Sequence, residues 1–441
     1  MPAVTEIDVS AVVFREDLYP RINTSATTVQ KYAEDLDVLP EIEVNQHNEL
    51  IDGWHRWTAH KKAEAKTIRA KVTKTASESE FLELAIERNA AHGLQLSQED
   101  KKKMAVRIYN SITDRKERMA VKGRLTKILA VSAKLLDAWL SRSEKDMKEA
   151  AKREAFDLWL ACRTQDEIAE AVGWPKQSVN RWLSGLSQNP EIGETVQTQD
   201  SEKESPFKLS KTENAVAEHS TDFDPPIYNI WKQQTKSEGA SHFGNSEVRW
   251  VDNLLYLYTK PFDVVVDPFA GGGSTIDICK KRFRRYFVSD RKPVVERAHE
   301  IRQHDLTDGL PKPPQWKDVK LVYLDPPYWK QAEGQYSKDK TDLANMTLEA
   351  FNESLSGIIK GFAGKVSEAF IALIIQPTQW KSPKREYTDH IADMLRLIKL
   401  PVEMRYSVPY ESQQCNAQMV EWSKEQKQPL VLTREIIVWR V

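Results

Sequence analysis

At 441 residues the chain exceeds what a single hydrophobic core organises, and about two to four domains are expected. A charged fraction of 29% and a hydrophobic fraction of 40% fit globular domains in water, and the longest apolar runs, such as VVVDPFA at 264–270 and FIALII at 370–375, are too short to cross a bilayer. The start MPAVTEIDVS lacks a basic segment followed by an apolar one, which points to the cytoplasm. Cys162, Cys279 and Cys415 stand at no zinc or redox spacing, so no metal is expected.

Residues 1–95 mix short β-type runs (IEVN, LIDGW, IRAKVTKT) with helical stretches around TTVQKYAEDL and SESEFLELAIERNAA, which predicts a small α/β domain. Within it, NELIDGWHRWTAHKKAEAKTIRAKV at 48–72 resembles the ParB and sulfiredoxin-like superfamily, with Gly53, His55, Arg56 and Ala59 matching its Gly-x-His/Arg-Arg-x-x-Ala turn. Gly53 permits a tight turn, and His55 and Arg56 at a helix start could face a phosphate. IERNAAHGLQLSQEDK at 86–101 resembles the following box, with Glu87, Arg88, Asn89 and His92 at its polar positions, although the usual Glu-Asn-Leu-Gln-Arg string is altered. The resemblance implies either a nucleotide site or a module that is structural or docks on DNA.

Residues 96–184 carry apolar residues three and four apart and no β-type runs, the pattern of packed short helices. Between 101 and 154, 16 Lys and Arg face 7 Asp and Glu, an asymmetry that suits either a polyanion partner or a solvated helical face. TQDEIAEAVGWPKQSVNRWLSG at 164–185 reads as a helix-turn-helix. Ile168, Ala169 and Val172 form the first apolar face, Gly173 makes the turn, and Val179 and Trp182 anchor the second helix. That leaves Lys176, Gln177, Ser178, Asn180 and Arg181 for a DNA major groove. A weaker copy, RLTKILAVSAKLLDAWLSR at 124–142, turns Lys134 and Asp137 outward. Residues 185–225 are polar and read as a linker.

From 226 to 441, aromatic and β-branched runs alternate with helical patterns, as in an α/β domain with a central sheet. In VVVDPFAGGGST at 264–275, a buried strand ends at Asp267, and three glycines turn the chain into a helix from about Ser274. Glycines let the backbone approach a ligand, and the helix start offers free N–H groups. The next strand, RRYFVSD, ends at Asp290, spaced to hold ribose hydroxyls. LVYLDPPYW at 321–329 then places Asp325, Pro326, Pro327 and Tyr328 after a further strand. A carboxylate and a carbonyl there can accept the protons of an aryl amine, and Tyr328 can stack on a flipped base, with Trp329 extending that wall.

Together these two motifs resemble the amino-methylating DNA methyltransferases. The resemblance implies S-adenosylmethionine as cofactor, held by Asp267, Pro268, Phe269, Ala270, Gly271, Gly273, Asp290 and Asp305, the last at its adenine amino group. Upstream, His-Phe-Gly-Asn-Ser-Glu at 242–247 stands where the family has His-Pro-Thr-Gln-Lys-Pro, a departure that affects contacts from Asn245 and Ser246. Cytosine ring methylation requires a Pro-Cys nucleophile that this chain lacks. Aspartate leading the tetrapeptide is commoner in the adenine branch, whereas serine is typical of the cytosine amino branch. Cytosine N4, RNA, or an inactive fold in a DNA-binding partition protein are the alternatives. KQAEGQYSKDKTDLANM at 330–346 is the candidate substrate lid.

The expected architecture is multidomain α/β. A ParB-like domain (1–95) precedes an all-α helix-turn-helix region (96–184), a linker (185–225) and a Rossmann-like class I methyltransferase with a mixed seven-stranded sheet (226–441). Double-stranded DNA is the expected partner, with a nucleotide at the ParB-like domain and a homodimer as candidate further partners, and no membrane.

Overall fold

The computed structural model describes residues 4–20, 24–91, 97–184, 209–232, 246–330, 333–334, 336–379, 387–409 and 417–441. His92, Asn245, residues 185–208 of the expected linker, and residues 331, 332 and 335 of the candidate lid lie outside these. The chain divides into two compact units, 1–151 and 152–441.

The first unit contains β1 (Val4–Asp8), α1 (Ala26–Ala33), β2 (Ile42–Val44), β3 (Leu50–Asp52), α2 (Trp54–Lys62), β4 (Thr67–Val72), α3 (Glu78–Ala91), α4 (Gln98–Ser111), α5 (Arg115–Ile128) and the start of α6 (Ala133–Leu160). Its sheet runs β1-β4-β2-β3, with β2 and β4 parallel and the other pairs antiparallel. Ile42, Val44, Leu50, Ile68 and Ala70 bury its inner face against Trp57. Ile51 of β3 packs with Phe81 and Ala85 of α3, and Leu82 and Ile86 of α3 share one core with Met104, Ala105 and Ile108 of α4 and Val121 and Leu125 of α5, so these helices group with the sheet in one compact unit.

The division instead falls inside α6. The second unit continues with α7 (Gln165–Val172), α8 (Lys176–Leu183), α9 (Lys211–Ala217), α10 (Val248–Tyr258), β5 (Val264–Asp267), α11 (Ser274–Lys281), β6 (Arg285–Asp290), β7 (Arg302–Gln303), β8 (Val319–Leu324), α12 (Leu348–Ala363), β9 (Phe370–Ile375), β10 (Thr378–Gln379), β11 (Tyr387–Thr388), α13 (His390–Ile398), β12 (Val402–Pro409), α14 (Ala417–Gln426) and β13 (Thr433–Arg440). Seven strands form the expected mixed sheet in the order β12-β13-β9-β8-β5-β6-β7. β5 through β9 pair in parallel, and β13 is antiparallel to both β9 and β12.

The Val264–Val266 run is buried throughout, as a central parallel strand covered on both faces must be. Phe351, Leu355, Ile359 and Phe362 of α12 and Ile391, Met394 and Ile398 of α13 share a core with Val266, Val322, Leu324, Leu373 and Ile437 of the sheet. From β5 the chain moves outward to β6 and β7, then returns to β8 on the other side. That reversal opens a crevice beyond the carboxyl ends of β5 and β8, where ligands of such sheets bind.

Two parts of the expected organisation change. Residues 152–184 belong to the same unit as the seven-stranded sheet. Phe156 and Trp159 meet the Phe262 ring at 6.3 and 5.5 Å, Arg163 donates to the His299 carbonyl at 2.7 Å, and Arg302 donates to the Ala161 and Cys162 carbonyls. The expected linker also ends early, because residues 209–225 are built into this unit. Arg282, just after α11, donates to both oxygens of Asp252 at 2.8 Å and to Asp222, while His219 meets Asp252 at 2.9 Å. Burial opposes the charge of Asp252, but hydrogen bonds from Arg282 and His219 overcome it and hold the carboxyl at about 2. Asp252→Asn should therefore cost about 1.5–3 kcal/mol of stability, read as a lower denaturation midpoint at neutral pH.

Candidate active site

Asp267 at the end of β5 is buried and faces its own loop. It accepts from the Phe269 amide at 2.9 Å and the Thr275 hydroxyl at 2.7 Å, which closes the turn between strand and helix. Burial pushes its carboxyl up to about 7, with the nearby Asp325 and Asp290 acting in the same sense. Gly273 has φ 81° and precedes α11 with no side-chain cap, leaving the first helical N–H groups for a ligand. A Cβ there would also sit 2.9 Å from Cδ of Arg297.

Asp290 accepts from the Gly271 amide at 3.0 Å and the Lys292 amide at 2.8 Å. The carboxylate thus ties the glycine loop to the end of the neighbouring strand while still facing the crevice. Asp305 accepts from the amide and hydroxyl of Thr307 and is 2.8 Å from Nε of Arg291. Burial opposes these contacts, yet the Thr307 bonds and the Arg291 charge hold its carboxyl below the usual range. Arg291 also reaches Asp339 at 2.7 Å, and Asn345 donates to the carbonyls of Ser337 and Asp339. The described part of the candidate lid is thereby joined to the acid at Asp305.

Asp267, Gly271, Asp290, Arg291, Asp305 and Asp339 line one cleft of about 1290 Å³, together with Pro268, Phe269, Ala270, Ser246, Asp325, Pro327 and Tyr336. Pockets for one small ligand typically hold about 300–1,000 Å³, so this cleft has room for two ligands side by side. The donor set fits the cofactor implied by the motifs: carboxylates for hydroxyl and amino groups, the Phe269 ring for a flat apolar face, and free N–H groups for a carboxylate.

Asp325 follows β8 at the same edge of the sheet. Ser246 donates to its Oδ2 at 2.5 Å and Tyr328 to its Oδ1 at 3.1 Å. Burial raises the Asp325 pKa, against the hydrogen bond from Ser246, the charge of Arg434 and the hydrogen bond from Tyr328. Pro326 is buried. Pro326, Tyr328 and Gly273 are absent from the described lining of the cleft. The Tyr328 hydroxyl is engaged with the carboxylate, a role not anticipated from its ring. Trp329 does not extend the expected wall. Its Nε1 donates to the Met346 carbonyl at 3.0 Å, and its ring meets buried His390 at 6.0 Å.

Three contributors were not legible in the motifs. Ser246 lies in the segment that departs from the family pattern, Tyr336 sits within the candidate lid, and Arg434 is the second residue of the last strand. Ser246 and Tyr336 carry a positional signal in the sequence, and Arg434 carries none.

The other predicted residues lie elsewhere. Lys176, Gln177 and Arg181 are exposed on α8, with Ser178 and Asn180 half-buried. Gly173 is left-handed at the end of α7, Thr164 and Glu167 cap its start, and Trp174 meets Trp182 at 5.1 Å. Lys176 pairs with Asp166 at 2.7 Å. Lys134 is exposed near the start of α6, which runs for 28 residues and so differs from the short second helix of the 164–185 unit. In the first unit Gly53 (φ 107°) precedes α2, and its missing Cβ would meet Ile42 at 2.6 Å. His55 accepts from the Ser25 amide at 2.9 Å, and Arg56 pairs with Asp52 at 2.7 Å. Arg88 pairs with Glu43, while buried Asn89 donates to the Ala85 and Ile51 carbonyls.

A comparison with curated proteins gives no match. Among solved structures, the chain is similar to sulfiredoxin from Arabidopsis thaliana, at 20% identity over 17% of this chain and 88% of that one, with a TM-score of 0.15. It is also similar to the truncated chromosome-partitioning protein ParB from Caulobacter crescentus complexed to the centromeric parS site, at 15% identity over 42% and 86%, with a TM-score of 0.23. A third is the 1,6-didemethyltoxoflavin-N1-methyltransferase of Burkholderia thailandensis, at 14% identity over 44% and 77%, with a TM-score of 0.28. The DNA methylase family model matches residues 46–298, more than half of the chain, and its span takes in the glycine loop and Asp290 but ends before Asp325. With that loop inside the match and the Asp-Pro-Pro-Tyr carboxylate facing the same cleft, the chain belongs to the N6/N4 DNA methylase family.

Proposed function

We propose that the chain transfers a methyl group from S-adenosylmethionine to the exocyclic N6 of adenine in double-stranded DNA. The observation that carries this reading is Asp325, an acceptor carboxylate at the end of β8 in a cleft with room for both a cofactor and a flipped base. When bound, S-adenosylmethionine supplies a methyl group already activated on a sulfonium. Asp290 and Asp305 hold its ribose and adenine, and the amides after Gly273 its carboxylate. Ser246 and Tyr328 each occupy one lone pair of an Asp325 oxygen, leaving further lone pairs to accept an amino proton. That bond orients the amine and favours a more tetrahedral nitrogen, the geometry needed for attack. Aspartate at the head of the tetrapeptide supports adenine over cytosine. Digestion of the modified DNA should yield N6-methyl-2′-deoxyadenosine, and N4-methyl-2′-deoxycytidine would overturn the choice of base.

Docking on DNA is assigned to α8, whose exposed Lys176, Gln177 and Arg181 follow a capped helix and a glycine turn. The double variant Lys176→Ala, Arg181→Ala should weaken duplex binding about tenfold at moderate salt and reduce the slope of log affinity against log salt by roughly two. An unchanged slope would remove α8 from the interface. The turn at Gly53, His55 and Arg56 is a candidate phosphate site, although Arg56 would first have to leave Asp52.

A further inference from the structure

Arg434 is only 4% exposed and is the second residue of β13, which pairs with β12 on one side and β9 on the other. Its guanidinium carbon lies 4.5 Å from the centre of the buried Trp250 ring, and Nη1 donates to the Ser246 hydroxyl at 3.2 Å and the Tyr328 hydroxyl at 3.3 Å. Those are the two hydroxyls that reach Asp325. A guanidinium can only donate. Each hydroxyl that accepts from Arg434 therefore has its single proton left for the carboxylate, and the direction of all four bonds is fixed. We propose that Arg434 is a positioning residue that orients the Ser246 and Tyr328 hydroxyls toward Asp325 and keeps this carboxylate an ionised acceptor for the substrate amino group. The inference rests on the methyl-transfer reading of Asp325, and it adds a residue outside both motifs.

The surroundings explain why such a device is needed. Burial disfavours the charge on Asp325, and the cleft also holds the carboxyls of Asp267 and Asp290 and the neutral phenols of Tyr323 and Tyr336. Arg434 is the cation that acts on Asp325 from this shell. A neutral Asp325 would carry a proton where the amine needs an acceptor.

The test compares wild type with Arg434→Met and Arg434→Lys. One readout is the infrared carboxylate band of Asp325 in the cofactor-free protein, assigned by difference against Asp325→Asn and titrated with pH. The other is kcat as a function of pH at saturating S-adenosylmethionine and DNA. In Arg434→Met the Asp325 band should titrate at higher pH than in wild type, kcat at pH 7 should fall about 10²-fold with its acid limb moved upward, and cofactor affinity should change less than about threefold. Arg434→Lys keeps the charge, with its donors on a single nitrogen instead of a planar fork, and should recover part of both shifts. If Arg434→Met does not fold, Arg434→Lys must still show a smaller shift in the same direction. An Asp325 band that does not move, or a kcat loss with an unmoved acid limb, overturns the proposal. Because the band is read without turnover, an inactive wild type would contradict the methyltransferase reading while the Arg434 effect was still measured.

Discussion

Replacing Asp325 with Ala should lower methyl transfer by about 10³-fold or more while leaving S-adenosylmethionine affinity within about threefold. The carboxylate stands at the end of β8, the strand beside β5, and its partners are Ser246 and Tyr328 rather than Asp290 or Asp305. Its loss thus removes the acceptor of the amino proton and spares the groups assigned to the cofactor. Single-turnover transfer and equilibrium cofactor binding, measured on the same preparation, separate the two effects. The pH profile carries a second signature. Transfer needs the ionised form, and burial raises the Asp325 pKa above that of a free aspartate. Activity should therefore be lost on acidification at a pH above about 4, where an exposed aspartate would titrate. Comparable turnover in Asp325→Ala would remove this residue from the chemistry.

Asp290→Ala should weaken S-adenosylmethionine binding about 10²-fold. Two contributions add in the same direction. The carboxylate would accept hydrogen bonds from ribose hydroxyls, each worth about 1.5–3 kcal/mol when one partner is charged, and it already fixes the Gly271 and Lys292 amides at 3.0 and 2.8 Å. Removing it loosens the loop that must approach the cofactor. Isothermal calorimetry of wild type and variant measures the difference, and a ratio near one would assign the ribose to another group.

The seven-stranded sheet was legible because its central strands are continuous β-branched or aliphatic runs, which parallel burial requires. Asp267, Asp290 and Asp325 could be located because each ends such a run. β1 gives no such signal: Val4–Asp8 (VTEID) has no apolar run and no regular alternation, and it is a largely exposed edge strand paired with β4. The expected boundary near residue 95 rests on a change from strands to helices, which in a sequence resembles a domain break. Leu82 and Ile86 of α3 nevertheless pack into the core of α4 and α5. The expected linker was read from polarity alone, which cannot reveal that Asp222 and His219 meet Arg282 and Asp252 in a buried network. Arg434 was invisible for a similar reason. At the start of a strand it resembles any solvent-facing cation, and only the pairing of β13 beside β9 brings it to the edge where Asp325 lies.

The most direct test is to incubate the purified chain with methyl-labelled S-adenosylmethionine and mixed-sequence duplex DNA, alongside Asp325→Ala. The account predicts label in DNA with wild type, recovered as methylated adenine after digestion, and none above background with the variant. Absence of label from duplex DNA, single-stranded DNA and RNA alike, with a wild-type protein that binds the cofactor, would contradict it.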